Sequence, residues 1–283
     1  MIDKEQYKHM SKVELNNELL DACAKGNLDI VKYLLTSAEL NEHADIHHKN
    51  NYGENALINA CHYGHLNIVQ YLLTSPELNE HADIHHRSNS GVDALMYACV
   101  HLNIVKYLLT SIELKENAEI HQKDDDGWNA LIWACYNGHL DIVKYLLTSP
   151  ELTEHADISH KNKSGNNALT LACHNGHLDI VKYLLTSSEL KEHANIHHKN
   201  NGGESALIYA CEKKHLNIVK YLIIDMDIKV DKETMNWLQG KNKYKTVYED
   251  ALKIIETRHL YQQLSSSINS DKINNNKVIG IKI

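Results

Sequence analysis

Two short apolar patterns alternate along most of the chain. In residues 55–63 (NALINACHY), Ala56, Leu57, Ala60 and Cys61 recur at spacings of one, three and four, which places them on one face of a helix. Gly64 follows, suited to a left-handed helix stop. In residues 66–73 (LNIVQYLL), Leu66, Ile68, Val69, Leu72 and Leu73 share a second apolar face. Each pattern predicts a short amphipathic helix with too little apolar surface to stand alone. Pairs of such helices bury a core only when stacked on further pairs, as in a solenoid.

The pair of patterns is copied. Cys23, Cys61, Cys99, Cys135, Cys173 and Cys211 each follow an Ala and lie 38, 38, 36, 38 and 38 residues apart. The second pattern returns as LDIVKYLLTSAEL, LNIVQYLLTSPEL and LNIVKYLLTSIEL, among others. Six cysteines invite a disulfide framework, but here each occupies one position in a different copy. Stacked helices lie about 8–10 Å apart, farther than a disulfide holds its Cα atoms. The cysteines are therefore expected to be small, buried, reduced core residues. Copying also accounts for a skewed composition of 15 Tyr, 21 His and no Phe.

The word G-x-x-A-L-x-x-A-x-x-x-G-H-L-x-I-V-x-Y-L-L, carried by Gly53 through Leu73, resembles the ankyrin repeat. Six co-registered units cover residues 15–224. The resemblance implies an all-α ankyrin-repeat solenoid of antiparallel helix pairs joined by β-turn fingers, with a concave surface that binds other proteins. Residues 1–14 are then a leader, and residues 225–283 a helical C-terminal cap and tail.

The units depart from the family in length, running 38 residues where 33 is usual. The surplus falls after the second helix, in TSPELNEHADIHH. Ser75, Pro76 and Glu77 have the form of a helix start, which predicts an added helical turn over residues 75–80. The leucines at 40, 78, 114, 152 and 190 would cover the back edge of the core. His43, His81, Asn117, His155 and His193 replace the family's Gly, and a left-handed conformation is expected there. The third full copy, Ala98–Val105, is two residues shorter and lacks the interhelical Gly. Its first helix must end earlier or its turn distort, which leaves open a local bend near Val100 and His101 or tolerated drift in a loop. The first unit has no finger ahead of it and serves as a cap, and the last carries Lys214 for Gly. Beyond it, residues 233–238 and 244–264 are expected to be helical, with Val247, Ala251, Leu252, Ile254, Ile255 and Leu260 forming a packing face. The tail, residues 265–283, fits either low order or a strand-like contact.

Charge narrows the function. With 29 Lys+Arg against 37 Asp+Glu, the formal charge is −8, the wrong sign for sheathing nucleic acid. No apolar run approaches the roughly 18 residues that span a bilayer, and the N-terminus lacks an apolar signal core. A cytoplasmic protein without nucleic-acid or membrane partners is expected. The histidines form two series. His47–His48, His85–His86, His121, His160 and His197–His198 follow an Ile, and His65, His101, His139, His177 and His215 open the second helices. Zinc needs ligands converging at about 2.0–2.1 Å, which rungs one repeat apart cannot supply, so no metal and no cofactor is expected. A histidine-ladder module responding to metal or pH is the alternative function. Cys61–His62 and Cys173–His174 are neighbours that do not face each other on a helix, and no phosphate loop or metalloprotease word is present. Asp124–Asp126 lacks the alternating ligands of a calcium loop. The chain is not expected to be an enzyme.

Positions that differ between copies on the family's binding side are free to serve a partner. On this basis the partner-binding set is Tyr52, Asn59, His62, Tyr63, Tyr97, Asp125, Asp126, Trp128, Trp133, Tyr136, His174, Tyr209 and Glu212. Trp and Tyr are enriched at interface hot spots, and the acids favour a partner protein carrying a basic segment. Trp128 and Trp133 are expected to be exposed rings, separable from the core, on a monomeric protein. The Asn/Lys/Ile-rich wording resembles ankyrin proteins of intracellular bacteria and large viruses, which implies an effector delivered into a host cytosol.

Overall fold

The computed structural model describes residues 4–228 together with Asp250, Lys253, Ile254, Glu256, Thr257, Leu260, Gln263 and Leu264. After a short 3-10 helix, Lys4–His9, the helices come in pairs: α1 (Lys12–Lys25) with α2 (Leu28–Thr36), α3 (Ala56–Tyr63) with α4 (Leu66–Thr74), and α5 (Ala94–Tyr97) with α6 (Leu102–Thr110). Then follow α7 (Ala130–Asn137) with α8 (Leu140–Thr148), α9 (Ala168–Asn175) with α10 (Leu178–Thr186), and α11 (Ala206–Glu212) with α12 (Leu216–Lys220). A π-helical turn, Tyr221–Asp225, continues α12. The odd-numbered helices pack in one layer and the even-numbered helices in a second. This is the all-α solenoid that the two patterns predict.

Local chemistry sets each element. The side chains of Asn55, Asp93, Asn129, Asn167 and Ser205 accept the backbone N–H three residues on, at 2.9–3.3 Å, which satisfies an otherwise orphaned donor of the first turn. Gly26, Gly64, Gly138 and Gly176 end the first helices at φ between 77° and 87°. Lys214 takes the same left-handed conformation, at φ 62°. All six cysteines have no exposed surface, and with the leucines, isoleucines and valines of both layers they form one core running through the stack. Each unit completes its neighbour's core, so none is expected to persist alone.

Glycines at φ 78–81° also shape the fingers, at Gly53, Gly91, Gly127, Gly165 and Gly203. Successive fingers are tied backbone to backbone: Asn89 N–H to Tyr52 O, Asp125 N–H to Ser90 O, Lys163 N–H to Asp126 O and Asn201 N–H to Ser164 O, at 2.8–3.0 Å.

Two expectations are corrected. Residues 75–80 form a hydrogen-bonded turn, with Leu78 N–H on Ser75 O (3.2 Å) and Ala82 N–H on Leu72 O (2.9 Å), and no helix. The histidines in place of glycine are not left-handed; Lys214 and Asp227 are the non-glycine residues with positive φ among those described. Instead the rings of His43, His81, His155 and His193 reach back six residues to the carbonyls of Ser37, Ser75, Ser149 and Ser187, at 2.9–3.0 Å. A carbonyl only accepts, so Nε2 carries the proton. In the third copy Asn117 donates to Leu109 O at 2.9 Å. The imidazole thus closes the loop that the surplus residues open, a task that needs a side chain and not a permissive backbone. His81→Gly is therefore expected to cost about 1 kcal/mol, seen as a lower urea midpoint, and His81→Asn to cost less. Equal midpoints for wild type and His81→Gly would contradict this role.

The shortened third copy resolves by an early helix end. Helix α5 has four residues, and His101 N–H closes on Ala98 O at 2.7 Å. The expected helix at 233–238 lies outside the described residues, as do Val247, Ala251, Leu252 and Ile255 of the expected packing face and the tail 265–283. Those described between 250 and 264 are helical. There Thr257 Oγ1 donates to Lys253 O, and Ile254 rests against the core.

Candidate partner-binding surface

The odd-numbered helices and the fingers present the varying residues as three groups. In the first, His62 lies between Tyr63 and Tyr97, with ring centroids 4.7 and 5.0 Å away and planes within 12° and 22°. Tyr97 donates its hydroxyl to Glu54 Oε1 of the preceding finger at 2.8 Å. Burial, and then the Glu54 carboxylate, push the Tyr97 phenol up to about 12. The bond is thus made by a neutral hydroxyl.

The second group is Trp128, Trp133 and Tyr136. Trp128 lies 5.1 Å from Trp133, tilted at 47°, and Tyr136 meets Trp128 at 5.2 Å and Trp133 at 6.4 Å, edge-on at 73° and 76°. Such edge-on packing is favoured by the ring quadrupoles. The expectation that Trp133 is an open ring separable from the core is corrected here. Trp133 is half-buried, packs on the core, and has its indole N–H enclosed without an acceptor. Trp128 is half-buried and Tyr136 is 37% exposed, so these two form the accessible part.

The third group centres on Tyr209, whose hydroxyl lies 2.9 Å from Glu204 Oε2 and 3.2 Å from Asn166 Oδ1 and accepts from Asn200 Nδ2 at 2.9 Å. His174 meets its ring edge-on at 5.2 Å. Burial and Glu204 raise this phenol to about 12 as well.

The remaining expected residues are scattered. Tyr52 stands on its fingertip, 74% exposed. Asn59 bonds its own helix at Asn55 O (3.0 Å), and Glu212 is half-buried at the end of α11. The acids differ from one another. Asp124 Oδ1 holds the N–H groups of Asp126 and Trp128, Asp125 pairs with Arg87 at 3.5 Å, and Asp126 keeps an exposed carboxylate.

Glu54 and Asn166 were absent from the expected set, yet they anchor the two tyrosines. Their signal was a shared spacing: Glu54 precedes Tyr97, and Asn166 precedes Tyr209, by 43 residues. The corresponding finger position before Trp133 is Val92, which offers no acceptor, and this matches the unpaired indole.

Members of both histidine series lock units together. Nε2 of His65, His101, His177 and His215 meets the carbonyls of Ala24, His62, Tyr136 and His174, at 3.0–3.1 Å. His86, His160 and His198 likewise meet Gly53, Gly127 and Gly165, at 2.7–2.8 Å. At the third full repeat Arg87 Nε takes Gly91 O at 2.8 Å. Among the described residues no three His, Cys, Asp or Glu side chains gather as metal ligands.

The family model for ankyrin repeats in three copies matches the chain in overlapping stretches, residues 19–118, 78–154, 110–189 and 150–236. The chain belongs to the ankyrin repeat family. Ankyrin repeats generally mediate protein–protein interaction and are typically non-catalytic. No curated protein matches the chain. No helix among the described residues is long and apolar enough to cross a membrane. In this ankyrin chain the varying rings therefore sit on a scaffold whose relatives act by contact.

Proposed function

We propose that the chain is a non-catalytic recognition module that grips a partner protein through the ring groups of its finger and first-helix surface. The observation that carries this is the Trp128–Trp133–Tyr136 cluster, in which two aromatic rings stay accessible although the core is complete without Trp128. Rigid rings bury large area at small entropic cost. Asp126 beside them supports a partner segment bearing Lys or Arg, whereas Asp125 already has Arg87. The resemblance to ankyrin proteins of intracellular bacteria and large viruses supports a place in a host cytosol. A metal-responsive histidine module draws no support, since most rings of the two series are engaged by backbone carbonyls or by glutamates.

Affinity capture followed by titration of the captured partner tests the proposal. Trp128→Ala and Tyr136→Ala are each expected to weaken binding by about 30-fold, the 2 kcal/mol that marks a hot spot, with the thermal midpoint nearly unchanged. Trp133→Ala is expected to lower both affinity and midpoint, because that ring also packs on the core. Unchanged capture by the Trp128 and Tyr136 variants would remove the site.

A further inference from the structure

The turns built by the surplus residues leave a groove where one unit meets the next. One groove, of 110 Å³, lies over Leu73, Ala82, Ile84 and Leu114. The other, of 310 Å³, lies over Leu147, Ala156, Ile158 and Leu190. The floors are the same four positions in different units, so the floor does not explain the difference in size. The rim does. In the smaller groove Glu116 is held across the junction by His85 at 3.5 Å, as Glu80 is by His47 and Glu154 by His121, both at 3.4 Å. In the larger groove the histidine position is Ser159, whose hydroxyl turns to Asp157 Oδ1 at 2.7 Å. Glu192 therefore has no ion-pair partner among the described residues, and the junction stays open.

We propose that this larger groove, which none of the aromatic groups lines, is a second docking site for a partner segment in which an aliphatic side chain is followed by Lys or Arg. Its volume lies at the low end for a ligand pocket and has room for the side chains of a segment. Its apolar floor takes the aliphatic group. Glu189 and Glu192 on the rim outnumber Lys191, and Asp157 adds a third acid. The rim thus repels an acidic segment and attracts a basic one. A second copy is a poor occupant on the same ground, since the chain carries a formal charge of −8.

The test is fluorescence polarisation of a labelled peptide alternating Leu and Lys, titrated with the full chain. Two comparison peptides carry Glu for Lys or Gly for Leu. The Leu–Lys peptide is expected to bind, and both others to bind at least about tenfold more weakly. Ser159→His should restore the cross-junction pair with Glu192 and weaken the Leu–Lys peptide by about tenfold, without lowering the thermal midpoint. Glu192→Gln, which leaves the fold untouched, should weaken it by about threefold. His121→Ser should open the preceding junction and raise the number of peptides bound. Equal binding by wild type, Ser159→His and Glu192→Gln would overturn the proposal, as would equal binding of the Leu–Glu peptide. Self-association of the wild type that Ser159→His abolishes would also overturn it, by assigning the groove to a second copy.

Discussion

Between pH 8 and pH 10 the protein is expected to lose about 8 kcal/mol of folding stability. The cause is the column of six thiols. Burial pushes each of them above the value near 9 at which a free thiol ionises, and the Cys211 thiol stands at about 12. In the unfolded chain the thiols lose their protons as the pH passes 9, while in the folded chain they keep them. The folded state then binds more protons, so stability is full below the unfolded value and falls as pH rises. One thiol contributes about 1.4 kcal/mol for each pH unit above 9, and six together approach the entire stability of an ordinary domain. Urea midpoints followed by circular dichroism across this range are the measurement, with a variant carrying Ala at all six positions as the comparison. The wild-type midpoint should collapse before pH 10 while that of the variant declines gently. Parallel curves would show that the thiols are not buried rungs. The same burial predicts that none reacts with a thiol reagent until the chain unfolds.

Gly138→Ala is expected to cost about 3 kcal/mol, more than a surface glycine at positive φ would. At φ 86° a side chain is strained, and here it would also meet the His177 ring, with a Cβ only 2.5 Å from Cε1. That ring donates to Tyr136 O at 3.0 Å, so moving it aside breaks a bond between units as well. The two residues act as one device, and their substitutions should not add. His177→Ala alone should cost about 1–2 kcal/mol, and the double variant less than the sum. Strict additivity in thermal or urea unfolding would refute the coupling. His139 supplies an internal comparison. It follows the shortened copy, where no glycine precedes the turn, and its ring has no hydrogen-bond partner among the described residues. His139→Ala should therefore cost less than His177→Ala.

What was legible in the sequence was what repeats and what is local. The spacing of Ala, Leu and Cys named the buried faces. Gly64, Gly138 and Gly176 marked the stops. Each of these follows from periodicity or backbone preference within a few residues. The surplus residues misled for the same reason: Ser-Pro-Glu is a local helix start, but Ala82 already bonds Leu72 O and leaves room only for a turn. The histidine in glycine's place looked like a backbone substitution because its acceptor, a serine carbonyl six residues back, carries no mark in composition. Tertiary structure alone decided which rings are accessible. Trp133 and Tyr97 occupy one position in two copies, yet Tyr97 bonds Glu54 on the preceding finger, while the matching finger position before Trp133 is Val92. Side chains take their partners from the neighbouring unit, about 33–43 residues away in sequence, and a periodicity read within one unit cannot see across that junction.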